Sequence, residues 1–145
     1  MEPKNKFMKA ALTEAEKAFQ KEEIPVGAII VRDGKIISRA YNAKESSKNA
    51  CGHAEILAIQ KACKKLNSWR LLDCEMYVTL EPCPMCAGAL INARMKKVYI
   101  GTEDEKTGAC GSKLNLLEDY TFNHIVQTEK YILKEECSRY SQKIF

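Results

Sequence analysis

Two short stretches hold the residues best suited to chemistry: His53-Ala54-Glu55 and Pro82-Cys83-Pro84-Met85-Cys86. A Cys-x-x-Cys pair at a helix start turns both sulfurs toward one point. An imidazole from a neighbouring helix then completes the three protein ligands of a tetrahedral zinc, with the fourth position left for water. His53, Cys83 and Cys86 are the candidate ligands. Helix N-termini favour thiolate over thiol, and Pro84 fits a first turn, where a missing N–H breaks no helical bond. Glu55 lies two residues from His53, near enough to reach the metal's water without being a ligand. A carboxylate there takes a proton from water and hands it to substrate, so Glu55 is the candidate catalytic acid/base.

Other uses of these residues are possible. A Cys-x-x-Cys redox pair wants a thioredoxin-like βαβ context, which the order of elements below does not supply. A structural zinc site needs a fourth protein ligand, for which Cys51, Cys63, Cys74, Cys110, Cys137 and His124 are the candidates. An RNA-binding module that keeps zinc only for stability is a third reading, and it leaves Glu55 without a purpose.

These motifs need elements to hold them. Met8, Ala11, Leu12, Ala15, Ala18 and Phe19 form a helical stripe, which Pro25 is expected to end. Val26–Val31 and Ile36–Tyr41 read as strands joined by Asp33-Gly34, a pair suited to a type I′ turn. A polar loop, Asn42 to Gly52, precedes a helix through Ile56, Leu57, Ile59, Ala62, Cys63 and Leu66. Met76–Leu80 is a buried strand, Cys83–Ala93 a helix apolar on all faces, and Lys97–Gly101 another strand. Thr102 to Tyr120 is mostly loop, with a turn of helix around Leu116 and Leu117. A strand near Ile125–Thr128 precedes a closing helix carrying Ile132, Leu133, Cys137 and Tyr140. Helices alternating with strands after a hairpin imply an α/β sandwich, a mixed sheet with helices on both faces. Burial on both faces explains why the strands are continuously apolar.

Composition sets the outer bounds. A chain of 145 residues, 46% apolar and 29% charged, fits one soluble domain of residues 1–145. The N-terminus is polar and no apolar run approaches a membrane span, so the expected location is cytoplasmic, with no membrane partner. Seven cysteines without an export signal argue against a disulfide framework. A net charge of +4 suits an anionic partner such as RNA without requiring one.

From Ala11 to about Cys137 the chain resembles the bacterial tRNA-specific adenosine deaminase family, within the cytidine deaminase-like superfamily. The resemblance is carried by Ile24-Pro25-Val26-Gly27-Ala28, Tyr41-Asn42, His53-Ala54-Glu55-Ile56, Trp69-Arg70-Leu71 and the run Leu80-Glu81-Pro82-Cys83-Pro84-Met85-Cys86-Ala87-Gly88-Ala89. It continues through Asp104-Glu105-Lys106-Thr107-Gly108-Ala109, Gly111-Ser112 and Asn123-His124. H-x-E with P-C-x-x-C is the signature of zinc nucleobase deaminases, the tRNA adenosine enzymes among them. That signature fixes chemistry rather than substrate, since guanine, cytosine and cytidylate deaminases share it. The loop from Lys106 to Ser112, with Asn123-His124, points more specifically to tRNA. Gly52, Cys51 and the C-terminal Arg139–Phe145 depart from the family's usual residues.

The resemblance implies a three-layer α/β/α fold with a mixed five-stranded sheet, one Zn2+ per subunit and a homodimer. It implies a tRNA anticodon stem-loop as partner, with adenosine converted hydrolytically to inosine at the wobble position. Asn42 would contact the target nucleotide. The peptide N–H of Ala54 and walls near Val26, Gly27 and Leu80 would frame the base, with Asp104, Lys106 and Asn123 along the RNA surface. The rival enzyme reading is a deaminase of free guanine or cytosine with the same metal site.

Overall fold

In a computed structural model, residues 2–119 and 122–143 are described. Tyr120, the expected end of the long loop, and Ile144 and Phe145 of the divergent C-terminus lie outside them. The elements run α1 (Pro3–Gln20), β1 (Gly27–Arg32), β2 (Lys35–Tyr41), α2 (Lys44–Ser47), α3 (Ala54–Leu66), β3 (Cys74–Leu80), α4 (Pro84–Asn92), β4 (Lys97–Thr102), β5 (Gln127–Lys130) and α5 (Lys134–Ser141).

The strands form one mixed five-stranded sheet in the order β2-β1-β3-β4-β5. β1 is antiparallel to both β2 and β3, whereas β3–β4 and β4–β5 are parallel. Side chains alternate across the sheet, and both faces are covered. Ala28, Ile30, Met76, Val78, Val98 and Ile100 pack with Ala58 and Ala62 of α3 and Leu90 of α4. Ile29, Val31, Tyr77 and Tyr99 pack with Met8 and Ala11 of α1 and Cys137 of α5. Tyr77 and Tyr99 stack at 4.2 Å between ring centroids. The sandwich read from the alternation of elements is the one observed.

The β1–β2 turn has positive φ at Asp33 (52°) and Gly34 (75°), as a type I′ turn requires. Gly27 is demanded by close approach: a Cβ there would lie 2.0 Å from the carbonyl oxygen of Ala11 and 2.5 Å from the amide nitrogen of Ala15. Only glycine lets the start of β1 lie this close to α1.

Several boundaries differ from expectation. Pro25 does not end α1. The helix closes at Lys21 and Glu22, the latter at φ 59°, with the Glu23 N–H donating back to Ala18 O at 2.9 Å. The polar loop after β2 contains the short helix α2. Leu116 and Leu117 lie in a single turn closed by the Asp119 N–H on Asn115 O (3.0 Å). The last strand is displaced to Gln127–Lys130, because its register is set by pairing with Lys97–Ile100, while Ile125 stays 68% exposed. Ile132 and Leu133 precede α5 and still pack into the second core, with Leu133 in the left-handed region at the N-cap.

Candidate metal centre and substrate cavity

Topology brings the candidate residues to one edge of the sheet. The start of β1 lies beside the end of β3, since the strands are antiparallel, and the Gly27 N–H donates to Thr79 Oγ1 at 3.2 Å. The end of β2 lies beside Gly27, and the end of β4 beside Leu80. α3 and α4 pack on the same face of the sheet, with His53 and Cys83 as their N-cap residues. Ligands of open α/β sheets gather at such carboxyl ends, here joined by two helix N-termini.

The His53 Nδ1 atom lies 3.6 Å from Cys83 Sγ and 3.5 Å from Cys86 Sγ. With Zn–S near 2.3 Å, Zn–N near 2.0–2.1 Å and tetrahedral angles, an N···S separation of about 3.5–3.6 Å is needed. The three ligand atoms thus sit at the spacing a zinc ion requires. Among the described residues they are the only His/Cys/Asp/Glu group so gathered, all within 4.8 Å. Cys51, Cys63, Cys74, Cys110, Cys137 and His124 do not join them. His124 instead meets Met95 O through Nε2 at 2.6 Å. Three such groups, with no fourth among the described residues, would suit an open, catalytic zinc site rather than a structural one.

Charge in the cluster follows its hydrogen bonds. Cys83 is pulled down to about 4 by the Cys86 thiol, against the cost of burial, with His53 and the Cys86 amide adding to the pull. The Cys86 thiol is pushed up by the same contact with Cys83 and by burial, so the two thiols titrate as a pair that gives up its first proton easily and its second reluctantly. His53 is raised by its bond to Cys83. A dication displaces such protons. Glu55 is 4% exposed, and burial pushes its carboxyl up to about 7 against its own backbone amide and His53. A buried carboxyl that titrates near neutrality is suited to moving protons.

Beside the cluster is a cavity of about 120 Å³ lined by Ile24, Val26, Asn42, His53, Glu55, Leu80, Glu81, Cys83, Asp104 and Thr107. It therefore contains Val26, Asn42 and Leu80 from the residues expected at the target base, and also Asp104, which was expected along the RNA surface. The Ala54 N–H, expected to frame the base, is instead donated to Asn42 Oδ1 at 2.7 Å, and Ala54 is not among the lining residues, so Asn42 satisfies the first amide of α3 with its carbonyl. Gly27, also expected to frame the base, packs against α1 and is not among the lining residues. Lys106 lines a neighbouring groove that shares Ile24, Leu80 and Asp104 with the cavity. Asn123 is at the surface, away from the cavity lining. Ile24, Thr107 and Glu81 were not singled out from sequence as cavity residues. An apolar side chain 57% exposed at a rim has no sequence signature, and Glu81 was legible only as part of a shared motif.

A sheet carrying an imidazole and two thiols at paired helix N-termini, with a buried carboxyl beside them, defines a deaminase-like protein. The model of the MafB19-like deaminases matches residues 2–140. The tRNA-specific adenosine deaminase of Bacillus subtilis (strain 168) is 48% identical over 131 residues, covering 90% of this chain and 81% of that one. A solved structure from studies of A-to-I editing by tRNA:A34 deaminases at the wobble position of transfer RNA superimposes with a TM-score of 0.90 at 37% identity, covering 93% of this chain and 98% of its own. Guanine deaminase from Bacillus subtilis superimposes less closely, with a TM-score of 0.65 at 34% identity over 81% of this chain and 85% of that one. The chain belongs to the tRNA-specific adenosine deaminase family.

Proposed function

We propose that this protein deaminates adenosine to inosine at the wobble position of a tRNA anticodon, using one zinc ion held by His53, Cys83 and Cys86. The observation that carries the reading is the pair of N···S distances, 3.5 and 3.6 Å, beside a buried Glu55. It is joined by the likeness to relatives named for this activity. Zinc bound there would supply Lewis acidity that brings the ionisation of water toward neutral pH.

The remaining work falls to side chains. Glu55 takes one proton from the attacking water and gives it to the purine ring, then takes the second from the hydroxyl now on C6 and gives it to the leaving amine. Water's oxygen bonds to C6, the C6–N bond breaks, and ammonia leaves with inosine in place. Asn42 orients the base through its side-chain amide nitrogen, and Val26 and Leu80 wall it. An anticodon loop suits this cavity because its bases are already unpaired, so turning one outward costs little. Lys106 and Asn123 lie outside the cavity lining and would meet the RNA around it.

Assembly as a homodimer is part of the proposal. On α4 the residues Pro84, Met85, Gly88, Ala89 and Asn92 are left partly or fully exposed, an almost wholly uncharged face at helical spacing. Trp69, 53% exposed, lies nearby with the Arg70 and Arg94 guanidinium groups 4.3 and 5.4 Å from its ring. A second copy of the chain would cover this face, so light scattering should give about twice 16.4 kDa. No helix among the described residues is long and apolar enough to cross a membrane, in keeping with action on tRNA in the cytoplasm.

The test is incubation with unmodified tRNA, adenosine, guanine, cytosine and cytidine at two salt concentrations. Inosine should form in tRNA, and less at high salt, because phosphate contacts release counterions. Ammonia released from free guanine or cytosine with tRNA untouched would move the protein to a free-base activity.

A further inference from the structure

Glu81 lines the cavity together with His53, Cys83, Asp104 and Thr107. Its N–H donates to Thr102 O at 2.9 Å, tying the end of β3 to the end of β4. Its side chain is 3% exposed, yet none of the ion pairs among the described residues includes it. One loop supplies its partners instead. The amide of Asp104 donates to Oε1 at 3.1 Å, and those of Cys110 and Ser112 donate to Oε2 at 2.8 and 3.1 Å. The Ser112 hydroxyl also donates to Oε1. An ionised carboxylate can accept all of these at once. Gly108 closes over the carboxylate: a Cβ there would lie 2.4 Å from both Glu81 Cδ and Asp104 O, so the loop can lie this close only with glycine.

The loop held in this way carries the substrate-facing wall. Asp104 Oδ1 accepts the amides of Lys106 and Thr107 at 3.0 and 3.2 Å, and Oδ2 accepts the Thr107 hydroxyl at 2.8 Å. Asp104 and Thr107 both line the cavity. We infer that Glu81 is a positioning residue for substrate: it fixes the Asp104–Thr107 wall at a set distance from the His53–Cys83–Cys86 cluster. Because Glu81 leaves β3 two residues before Cys83, cluster and wall are mounted on one short piece of backbone. Glu81 moves no proton and holds no metal, so its loss should loosen substrate binding ahead of turnover. The inference rests on the deaminase reading above.

Glu81→Gln in the zinc-loaded protein isolates this role. The remaining oxygen can keep the Cys110 and Ser112 amides, while the new NH2 group faces the Asp104 N–H, donor against donor. With a tRNA anticodon stem-loop as substrate, kcat/KM should fall roughly ten- to hundredfold with most of the change in KM. Zinc content should stay at the wild-type value. Amide hydrogen exchange should quicken over residues 104–112 and stay unaltered in α3 and α4. Ser112→Ala, which removes one donor and keeps the carboxylate, should shift KM the same way by less. A general loss of fold would lower kcat at unchanged KM. That result, or zinc loss, or unaltered KM and loop exchange in both variants, would overturn the inference. Wild-type protein that forms no inosine in RNA refutes the functional reading by itself, and loop exchange and metal content then decide the anchoring role alone.

Discussion

Replacing Glu55 by Gln separates proton transfer from everything else in the site. Glu55 is buried at the second position of α3, and its neighbours there are its own backbone amide, His53, Cys83 and Cys86. Glutamine has the same shape and removes no metal ligand, so His53 Nδ1 and the two sulfurs should keep their 3.5–3.6 Å spacing. What disappears is the group that accepts and redelivers protons. One such transfer contributes about 10²–10⁴ in rate, and a group used for more than one belongs at the upper end. At about 1.4 kcal/mol per decade this raises the barrier by roughly 3–5 kcal/mol. Single-turnover inosine formation in a tRNA stem-loop, with zinc quantified on the same sample, measures it. A variant with full zinc and a rate within about tenfold of wild type would lie below that range and refute Glu55 as the shuttle.

Further outcomes follow from the same geometry. Cys83→Ala combined with Cys86→Ala should abolish zinc binding and lower thermal stability, as elemental analysis and a melting curve will show, because bound metal contributes to folding. Gly27→Ala drives a methyl into the Ala11 carbonyl and should cost about 1–3 kcal/mol or more, read as a lower urea midpoint. Glu23 accepts the amides of Glu45 and Ser46 at 3.0 and 2.6 Å. Burial opposes ionisation there, but these bonds prevail and hold its carboxyl below the usual 4.5. Its contribution is therefore present above pH 4.5 and lost as pH falls through the lower folded value. Glu23→Gln should lower the urea midpoint at pH 7, with the difference from wild type shrinking below pH 4.5.

Local patterns carried far. The two motifs pointed to the His53, Cys83 and Cys86 group that the structure gathers, and to the buried Glu55 beside it, because helix starts impose that spacing and sequence shows them directly. The α1 stripe, the Asp33-Gly34 turn and the both-face burial of β3 and β4 were legible for the same reason. Failures came where a distant partner decides. The edge strand β5 holds Glu129 between Lys97 and Lys4, at 2.9 Å each, so its polar residues mark strand while the apolar Ile125 lies outside it. The Glu81 network joins residues 23 to 31 positions apart, and no periodicity announces it. The capture of the Ala54 amide by Asn42 spans twelve positions and was equally hidden.

The most direct test of the central claim is to locate inosine in bulk tRNA after incubation with the zinc-loaded protein. Nucleoside digestion and mass analysis would be followed by sequencing of the modified species. Inosine should appear at the first anticodon position of tRNA carrying adenosine there, and should be absent with Glu55→Gln. Inosine spread over other adenosines, or none in tRNA while guanine or cytosine loses ammonia, would contradict the account.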